Sequence, residues 1–272
     1  MPPLISHILL NPFSNTIKLP LITTKIDNCN FPTKYLYDIQ NFVWVDINTA
    51  AVVVVDDDIK KSRSSESTSF ARVGIMPILS YISGNVKKIK LKAEGDIINK
   101  GKSIGTIESL SYFGVIRSPV SGTIVETNRD LLSDPKKIND SPFESGWVAK
   151  IKPHNDKDIE SLQTLDKCKY EISQLLKKYN VKCFKKFPDF EMYELGTECS
   201  ATLAKLDDFM EKKMGIGQIV HLVSDDPTAD LEVTRWTIDH NQDLVEIIME
   251  KNEVKVSNAP NYLFHILIKK SR

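Results

Sequence analysis

The sequence predicts two domains of different class, an all-β sandwich or flattened barrel closed by a C-terminal helix and an α+β two-layer sandwich. Short β-rich runs separated by Gly, Pro, Asn and Asp fill the first part, whereas helical and strand patterns alternate after residue 188. The 272 residues exceed the length of about 150 typical of one domain, and 41% hydrophobic residues suffice for two modest cores. We therefore expect an extension, a first domain, a linker and a second domain at 1–28, 29–181, 182–188 and 189–272.

The first domain begins with short strands and ends with an apolar periodic segment. The strand runs are Val43–Ile47, Val52–Val55, Val86–Leu91 and Gly122–Val125. Asp56–Ser69 has almost no apolar content and predicts a solvated surface loop. Lys157–Tyr179 predicts one amphipathic helix packed on the sandwich, because its apolar residues recur at helical spacing: Ile159, Leu162, Leu165, Ile172, Leu175 and Leu176. If the indole of Trp147 lies in the sandwich core, Trp147→Ala should destabilise that domain.

The second domain follows a strand, helix, strand, helix, strand, strand order. The segments are 190–195, 201–214, 218–223, 229–240, 244–249 and 262–269. This βαβαββ pattern predicts a sheet covered by two helices. The apolar stripe expected to face the sheet from the first helix consists of Leu203, Leu206, Met210 and Met214.

Charge and hydropathy exclude several classes of partner. Lys and Arg total 36, as do Asp and Glu, so no global field attracts nucleic acid or an anionic membrane. The apolar stretches are too short to span a bilayer. Met1–Pro20 lacks a charged n-region and a small-residue cleavage site. We expect a cytoplasmic chain with protein partners, without nucleic acid or membrane.

Cysteine and histidine spacing predicts neither a metal site nor a dense disulfide framework. The four cysteines, at positions 29, 168, 183 and 199, contain no C-x-x-C pair. His221 and His265 lie in apolar runs, which favours satisfied histidines within strands. The sequence contains no recognisable Ser/His/Asp triad, P-loop or dinucleotide fingerprint. The spacing therefore predicts no metal site, and none of these catalytic motifs is present.

Two stretches, Gly105–Ser111 and Arg117–Glu126, resemble the attachment hairpin of the glycine cleavage system H-protein. Further segments are similar to other parts of that family: Asn41–Val45, Ala71–Ile75, Ser83–Val86, Gly95–Gly101 and Asn139–Ile151. The resemblance covers roughly residues 30 to 180 and implies a lipoyl-type domain.

Ser111 occupies the position at which that resemblance implies a lipoyl-bearing lysine, three residues after Glu108. A short hydroxyl side chain cannot form the amide that holds lipoate, and no lysine lies between Lys102 and Lys136. We therefore expect no lipoate and no other cofactor. Glu108 and Ser111, with the turn Ser118–Gly122, become a candidate docking surface. For Pro119 and Gly122 of that turn, retained hairpin geometry is the favoured explanation.

Three segments of the second domain, Leu195–Ser200, Asp225–Ala229 and Glu232–Trp236, resemble the TusA/SirA sulfur carriers. In that family a Cys-Pro pair opens the first helix and the cysteine holds sulfur as a persulfide. Cys199 takes the cysteine position, whereas Ser200 replaces the proline. A helix N-terminus favours a thiolate, so we expect Cys199 to have a lowered pKa and to be the most reactive cysteine. The alternative is an inert buried cysteine.

These resemblances predict a non-lipoylated carrier or adaptor that relays sulfane sulfur on Cys199, with sulfurtransferase-type activity. The first domain would dock partners, with sulfur donor and acceptor proteins and lipoate-related enzymes as the candidates. The alternative function is a non-catalytic binding or regulatory scaffold that has lost both carrier chemistries, and the departures at Ser111 and Ser200 favour it. A lipoyl carrier of glycine cleavage is a third possibility, which Ser111 opposes.

Overall fold

The computed structural model describes residues 21–51, 67–251 and 262–272. The predicted strand Val52–Val55, most of the predicted loop Asp56–Ser69 and the first twenty residues of the expected extension lie outside the described residues.

The first half of the chain is rich in short strands. Its strands are β1 (Thr23–Ile26), β2 (Cys29–Pro32), β3 (Leu36–Asp38), β4 (Val43–Ala51), β5 (Ser67–Ile75), β6 (Lys88–Leu91), β7 (Ile97–Ile98), β8 (Ser103–Glu108), β9 (Phe113–Arg117), β10 (Gly122–Thr127), β11 (Trp147–Pro153) and β12 (Gln163–Thr164). Its helices are α1 (Pro77–Ser83), α2 (Asp130–Ser133), α3 (Lys137–Asp140), α4 (Asp156–Glu160) and α5 (Leu165–Lys178).

These strands form a seven-stranded sheet in the order β12-β3-β4-β5-β11-β10-β7, a three-stranded sheet β6-β8-β9 and the hairpin β1-β2. The two larger sheets share one apolar core, to which β4, β5 and β11 contribute one side and β6, β8 and β9 the other. Side chains on a strand alternate between its two faces. Val43 and Val45 therefore enter this core, while Trp44 between them enters a second cluster.

The second cluster packs α5 and the β1-β2 hairpin against the other face of the seven-stranded sheet. Trp44 is 0% exposed, and its indole N–H donates to the Pro142 carbonyl over 3.0 Å. Gly74 lies directly against this ring, since a Cβ at that position would come within 2.4 Å of Trp44 Cζ2. The condition that the Trp147 indole lies in the sandwich core is not met, because Trp147 packs against the second cluster. Trp147 is only half-buried, and the Lys150 ammonium lies 5.2 Å from its ring centroid.

The single helix predicted over 157–179 is divided into α4, β12 and α5. Asn155 caps α4 by accepting from the Lys157 N–H over 3.0 Å. Gln163 and Thr164 then pair with Tyr37 and Leu36 of β3. The apolar residues of this segment belong to two different cores. Ile159 and Leu162 pack against the sandwich core, whereas Leu165, Ile172 and Leu176 pack in the second cluster.

The second half contains β13 (Phe190–Glu194), α6 (Cys199–Lys213), β14 (Ile219–Ser224), α7 (Ala229–Asp239), β15 (Asp243–Lys251) and β16 (Tyr262–Lys269). This is the predicted order of elements. The strands form a four-stranded sheet, β13-β14-β16-β15, in which β13 and β14 are parallel and the other pairs antiparallel. The core between the sheet and its helices includes Leu206, Met210, Val220, Val233 and Ile266.

Segment 182–188, predicted as a linker, contacts both halves through polar groups. Lys182 Nζ lies 2.6 Å from Glu250 Oε2 in β15, and the Phe187 N–H donates to Asp140 of α3 over 2.9 Å. Cys183 forms a disulfide with Cys29 in β2. The cysteine spacing predicted no dense disulfide framework and did not predict this single bond between Cys29 and Cys183. Their separation of 154 residues gives no local spacing that a sequence reading could detect.

Candidate functional site

The β8-β9 hairpin places Ser111 at an exposed tip. Glu108 pairs with Phe113 as the last pair of the ladder, so the turn consists of residues 109–112. The Ser109 N–H donates to the Tyr112 carbonyl over 2.9 Å. The Ser109 hydroxyl accepts from the N–H groups of Ser111 and Tyr112, at 3.4 and 3.2 Å. These bonds close the turn and leave the Ser111 side chain in solvent.

Apolar and acidic side chains surround this tip. Leu110 is 95% exposed and Phe113 is 67% exposed. Glu108 is also exposed, and within the described chain its carboxylate forms no ion pair. Folding leaves two large apolar groups in water at one end of a hairpin, which is the kind of patch that marks a contact surface.

The turn Ser118–Gly122 is buried instead of exposed. Ser118 is 0% exposed, and its hydroxyl donates to the Val120 carbonyl over 2.6 Å. A Cβ on Gly122 would lie 2.3 Å from the Lys152 carbonyl oxygen. Pro119 is buried as well. These contacts explain Pro119 and Gly122 by local packing, so this turn does not extend the surface around Ser111.

Cys199 is the first residue of α6, as the resemblance to sulfur carriers implies. Its backbone N–H donates to Asp226 Oδ2 over 3.0 Å. The Glu232 carboxylate of α7 acts on the thiol and contributes to raising its pKa. The Thr228 hydroxyl links the two acids, with 2.7 Å to Asp226 and 3.2 Å to Glu232. The thiol therefore lies in a small acidic cluster.

The expectation of a lowered pKa and an exposed thiol at Cys199 was wrong. The residue is 4% exposed. The pKa of the Cys199 thiol is raised to about 12, mainly by burial and in addition by the Glu232 and Asp226 carboxylates. Two carboxylates next to a desolvated sulfur outweigh the partial positive charge of one helix end. Cys199 is thus a protonated thiol at neutral pH.

Cys168 is a buried free cysteine. It is buried in α5, and its sulfur lies 3.2 Å from the Thr164 carbonyl oxygen. Burial raises the pKa of this thiol to about 11. Cys168 and Cys199 are the free cysteines, and both are buried.

His221 and His265 form a buried pair that joins β14 to β16. The sequence predicted each of them as a separate, satisfied histidine. His221 Nε2 lies 2.9 Å from His265 Nδ1, and His265 Nε2 lies 2.9 Å from Glu250 Oε2. His221 Nδ1 is buried without a hydrogen-bond partner in the described chain, 3.8 Å from Glu191 Oε1. Burial lowers the pKa of His265, and the nearby His221 adds to this, although Glu250 opposes it. The sequence gave no signal of this histidine pair, because only the pairing of β14 with β16 brings His221 and His265 together.

Metal and membrane features are absent from the part of the chain that the structure describes. Among residues 21–51, 67–251 and 262–272, no group of three or more His, Cys, Asp or Glu side chains is placed to hold a metal ion. No helix within the same ranges has the length and apolar character needed to cross a membrane.

Comparison with known proteins gives the family of the first half. The profile of the family described as "Glycine cleavage H-protein" matches residues 60–175. The chain is 33% identical over 112 residues to the "Glycine cleavage system H protein" of Anaeromyxobacter sp. (strain K), which covers 40% of this chain and 88% of that relative. It is 28% identical over 156 residues to "Glycine cleavage system H protein 2" of Aquifex aeolicus (strain VF5), which covers 57% of this chain and 86% of the relative.

A solved glycine cleavage system H protein from Mycobacterium marinum aligns with 55% of this chain and 99% of its own length, at 22% identity and a TM-score of 0.40. On the family match and the identity to the Anaeromyxobacter protein, the chain belongs to the glycine cleavage H-protein family.

Proposed function

We propose that this chain is a non-lipoylated adaptor of the H-protein family that docks a protein partner through the tip of the β8-β9 hairpin. The observation that carries this proposal is the tip itself: Ser111, which the sequence resemblance assigns to the attachment position, is exposed between the exposed Leu110 and Phe113. The tip offers apolar contact area without an amine for a prosthetic arm.

The chemistry of attachment supports this proposal. Lipoate is held through an amide to a primary amine, and the hairpin from Ser103 to Arg117 contains no lysine. Lys102 lies at the base of the hairpin, at the far end of β8 from the tip. Without the arm, the retained fold can still present a recognisable surface. The partners we propose are lipoate-related enzymes, that is, lipoyl-processing or aminomethyl-transferring proteins.

Lipoate ligase with lipoate and ATP tests the first part of the proposal. Intact mass should show no adduct on the natural chain, and an adduct mapped within Glu108–Ser118 would refute the proposal. Ser111→Lys should accept lipoate if the turn keeps the family's shape. Thr106→Lys, in the middle of β8, is the matched control and should remain unmodified because it lies away from the tip.

Binding to a purified aminomethyl-transferring enzyme tests the docking. The paired substitution of Leu110→Ser and Phe113→Ser should weaken the interaction, because it removes the exposed apolar area and leaves the ladder intact. Ile97→Ser removes a similarly exposed apolar side chain, 74% exposed on β7, and serves as the control. Equal affinity of all three proteins would exclude the tip as the docking surface.

Sulfane-sulfur relay by a TusA/SirA-like second domain is the second candidate function. The observation that favours it is the position of the Cys199 thiol at the start of α6, beside a proton acceptor, Glu232. In the proposed step, Glu232 takes the thiol proton and the Cys199 sulfur attacks the outer sulfur of a donor persulfide. The donor S–S bond breaks, and the departing donor thiolate takes up the proton. Cys199 is left as a persulfide.

The burial of Cys199, its raised pKa and Ser200 in place of a proline all oppose this second function. Incubation with a persulfide donor followed by peptide mass analysis separates the two candidates. One added sulfur on Cys199, absent from Cys199→Ser and retained in Cys168→Ser, would support relay. If the natural chain takes up no sulfur, relay is excluded and the adaptor function remains as the one candidate.

A further inference from the structure

The outer face of the three-stranded sheet is basic and apolar. In β6, Lys88 and Lys90 are exposed on either side of the buried Ile89, and Lys92 follows on the same side. In β9, Phe113, Val115 and Arg117 are exposed around the buried Gly114 and Ile116. Strand alternation therefore directs all of these exposed side chains away from the core.

Strand pairing arranges these side chains in rows. Lys88 pairs with Glu108, which pairs with Phe113, to form the row nearest the hairpin tip. Lys90 pairs with Thr106, which pairs with Val115, in the next row. Each row therefore runs from a lysine on one edge to an apolar side chain on the other.

The positive charge of this face is not neutralised within the described chain. Lys88, Lys90 and Lys92 form no ion pair with any carboxylate of residues 21–51, 67–251 or 262–272, and Arg117 donates to the Gly101 carbonyl over 3.0 Å. Glu108 is the acidic residue in the rows. The whole chain has no net charge, so this face is a local concentration of cations.

We infer that this face is a docking surface for a partner protein that presents carboxylates beside an apolar spot. The inference rests on the proposed adaptor function and specifies the chemistry of the partner. The lysine edge would pair with the carboxylates, and Phe113, Val115 and the neighbouring Leu110 would contact the apolar spot. Such complementarity raises the association rate and selects among partners. Exposed aromatic area supplies much of the binding energy.

The position of Glu108 favours a protein over a membrane or a nucleic acid. Its carboxylate lies between Lys88 and Phe113 in the row nearest the tip. An anionic lipid surface or a phosphate backbone would bring uniform negative charge against this carboxylate. A protein surface can place a donor group opposite Glu108 and acids opposite the lysines.

The test uses the full chain and labelled random copolymers of glutamate and tyrosine, with polyglutamate for comparison. The copolymer should bind more tightly than polyglutamate because it adds aromatic contacts. Reversal of the lysine edge with Lys88→Glu, Lys90→Glu and Lys92→Glu should weaken binding about tenfold, as expected for three exposed ion pairs, and should lower its salt dependence.

A matched triple variant keeps the net charge change constant. It reverses three exposed lysines of α5 through Lys167→Glu, Lys169→Glu and Lys177→Glu. This variant should leave copolymer binding unchanged. Thermal unfolding verifies that both triple variants fold. Equal weakening by the two variants would refute the inference. It would also be refuted if phosphatidylserine vesicles or duplex DNA bound more tightly than the copolymer and the reversal of Lys88, Lys90 and Lys92 abolished that binding.

The outcome also separates this inference from the adaptor proposal. If Leu110→Ser with Phe113→Ser weakens binding to the aminomethyl-transferring enzyme and the lysine reversal has no effect on the copolymer, the charge inference alone fails. If neither set of substitutions alters binding, both proposals fail.

Discussion

Asp189 connects the two halves of the chain, and Asp189→Asn should destabilise the protein. One carboxylate oxygen accepts from Lys136 Nζ over 2.8 Å and from the Ile219 N–H over 2.9 Å. The other accepts from the Asn85 amide over 2.8 Å. The Asp189 side chain is 9% exposed and that of Lys136 is 24% exposed. The substitution keeps the shape of the side chain but removes its charge.

The magnitude follows from what the amide can replace. The side-chain oxygen of the new asparagine can still accept hydrogen bonds from Lys136 Nζ and from the Ile219 N–H. Its NH₂ group can donate to Asn85 Oδ1 if the Asn85 amide rotates, because that oxygen is buried without a partner in the described chain. The remaining loss is the charge on the Lys136 hydrogen bond, worth about 2 kcal/mol. Water reaches Lys136, so the loss stays below the roughly 3 to 5 kcal/mol of a fully buried broken pair.

The dependence on pH has a definite sign. Burial by itself raises the pKa of Asp189, but hydrogen bonds from Lys136, Ile219 and Asn85 outweigh it and give a net lowering. A carboxyl with a folded pKa below its unfolded value of about 3.9 stabilises the protein above that value. The stabilisation is lost as the pH falls through the folded pKa. The difference between the natural chain and Asp189→Asn should therefore be full at neutral pH and shrink in acid.

Urea unfolding of the natural chain and of Asp189→Asn near pH 7 and near pH 3 measures the loss of stability and its dependence on pH. Asp243→Asn is the control, because Asp243 and its partner Lys269 are 58% and 44% exposed and their 3.3 Å pair is solvated. This control should change the unfolding midpoint much less. Equal stability of Asp189→Asn and the natural chain at neutral pH, or a difference that persists unchanged in acid, would refute the reasoning.

Three further predictions concern the cores, the disulfide and the histidine pair. Trp44→Ala should cost about 3 to 5 kcal/mol in urea unfolding, and Trp147→Ala clearly less, because only Trp44 is fully buried. Reducing Cys29–Cys183, which closes a loop of 154 residues, should lower stability by up to about 5 kcal/mol, measured as a shift in melting temperature with reductant. His265 has a lowered pKa, so stability should fall as the pH drops below about 6.5, and His265→Gln should flatten that dependence in denaturation measured between pH 5 and 7.

Local sequence determined the elements of the second half. Strand alternation in Phe190–Glu194 and helical spacing across Leu206 and Met210 depend on neighbours a few residues apart, so their order could be predicted without coordinates. The start of α6 at Cys199 was likewise within reach of local motifs. The direction of the pKa shift at Cys199 could not be predicted in this way, because it is set by burial in the folded domain and by Glu232 from another helix.

The resemblance to the H-protein attachment hairpin predicted that Ser111 lies in a hairpin, and the structure places it in the turn between β8 and β9. The sequence could not divide the apolar pattern of 157–179, since that break depends on the pairing of Gln163 with Tyr37. Nor could it join Cys29 to Cys183 or His221 to His265, because residues far apart in the chain become neighbours only when the strands pair and the linker packs. Local periodicity fixes the elements, and the long-range packing of those elements decides which side chains are buried, charged or bonded.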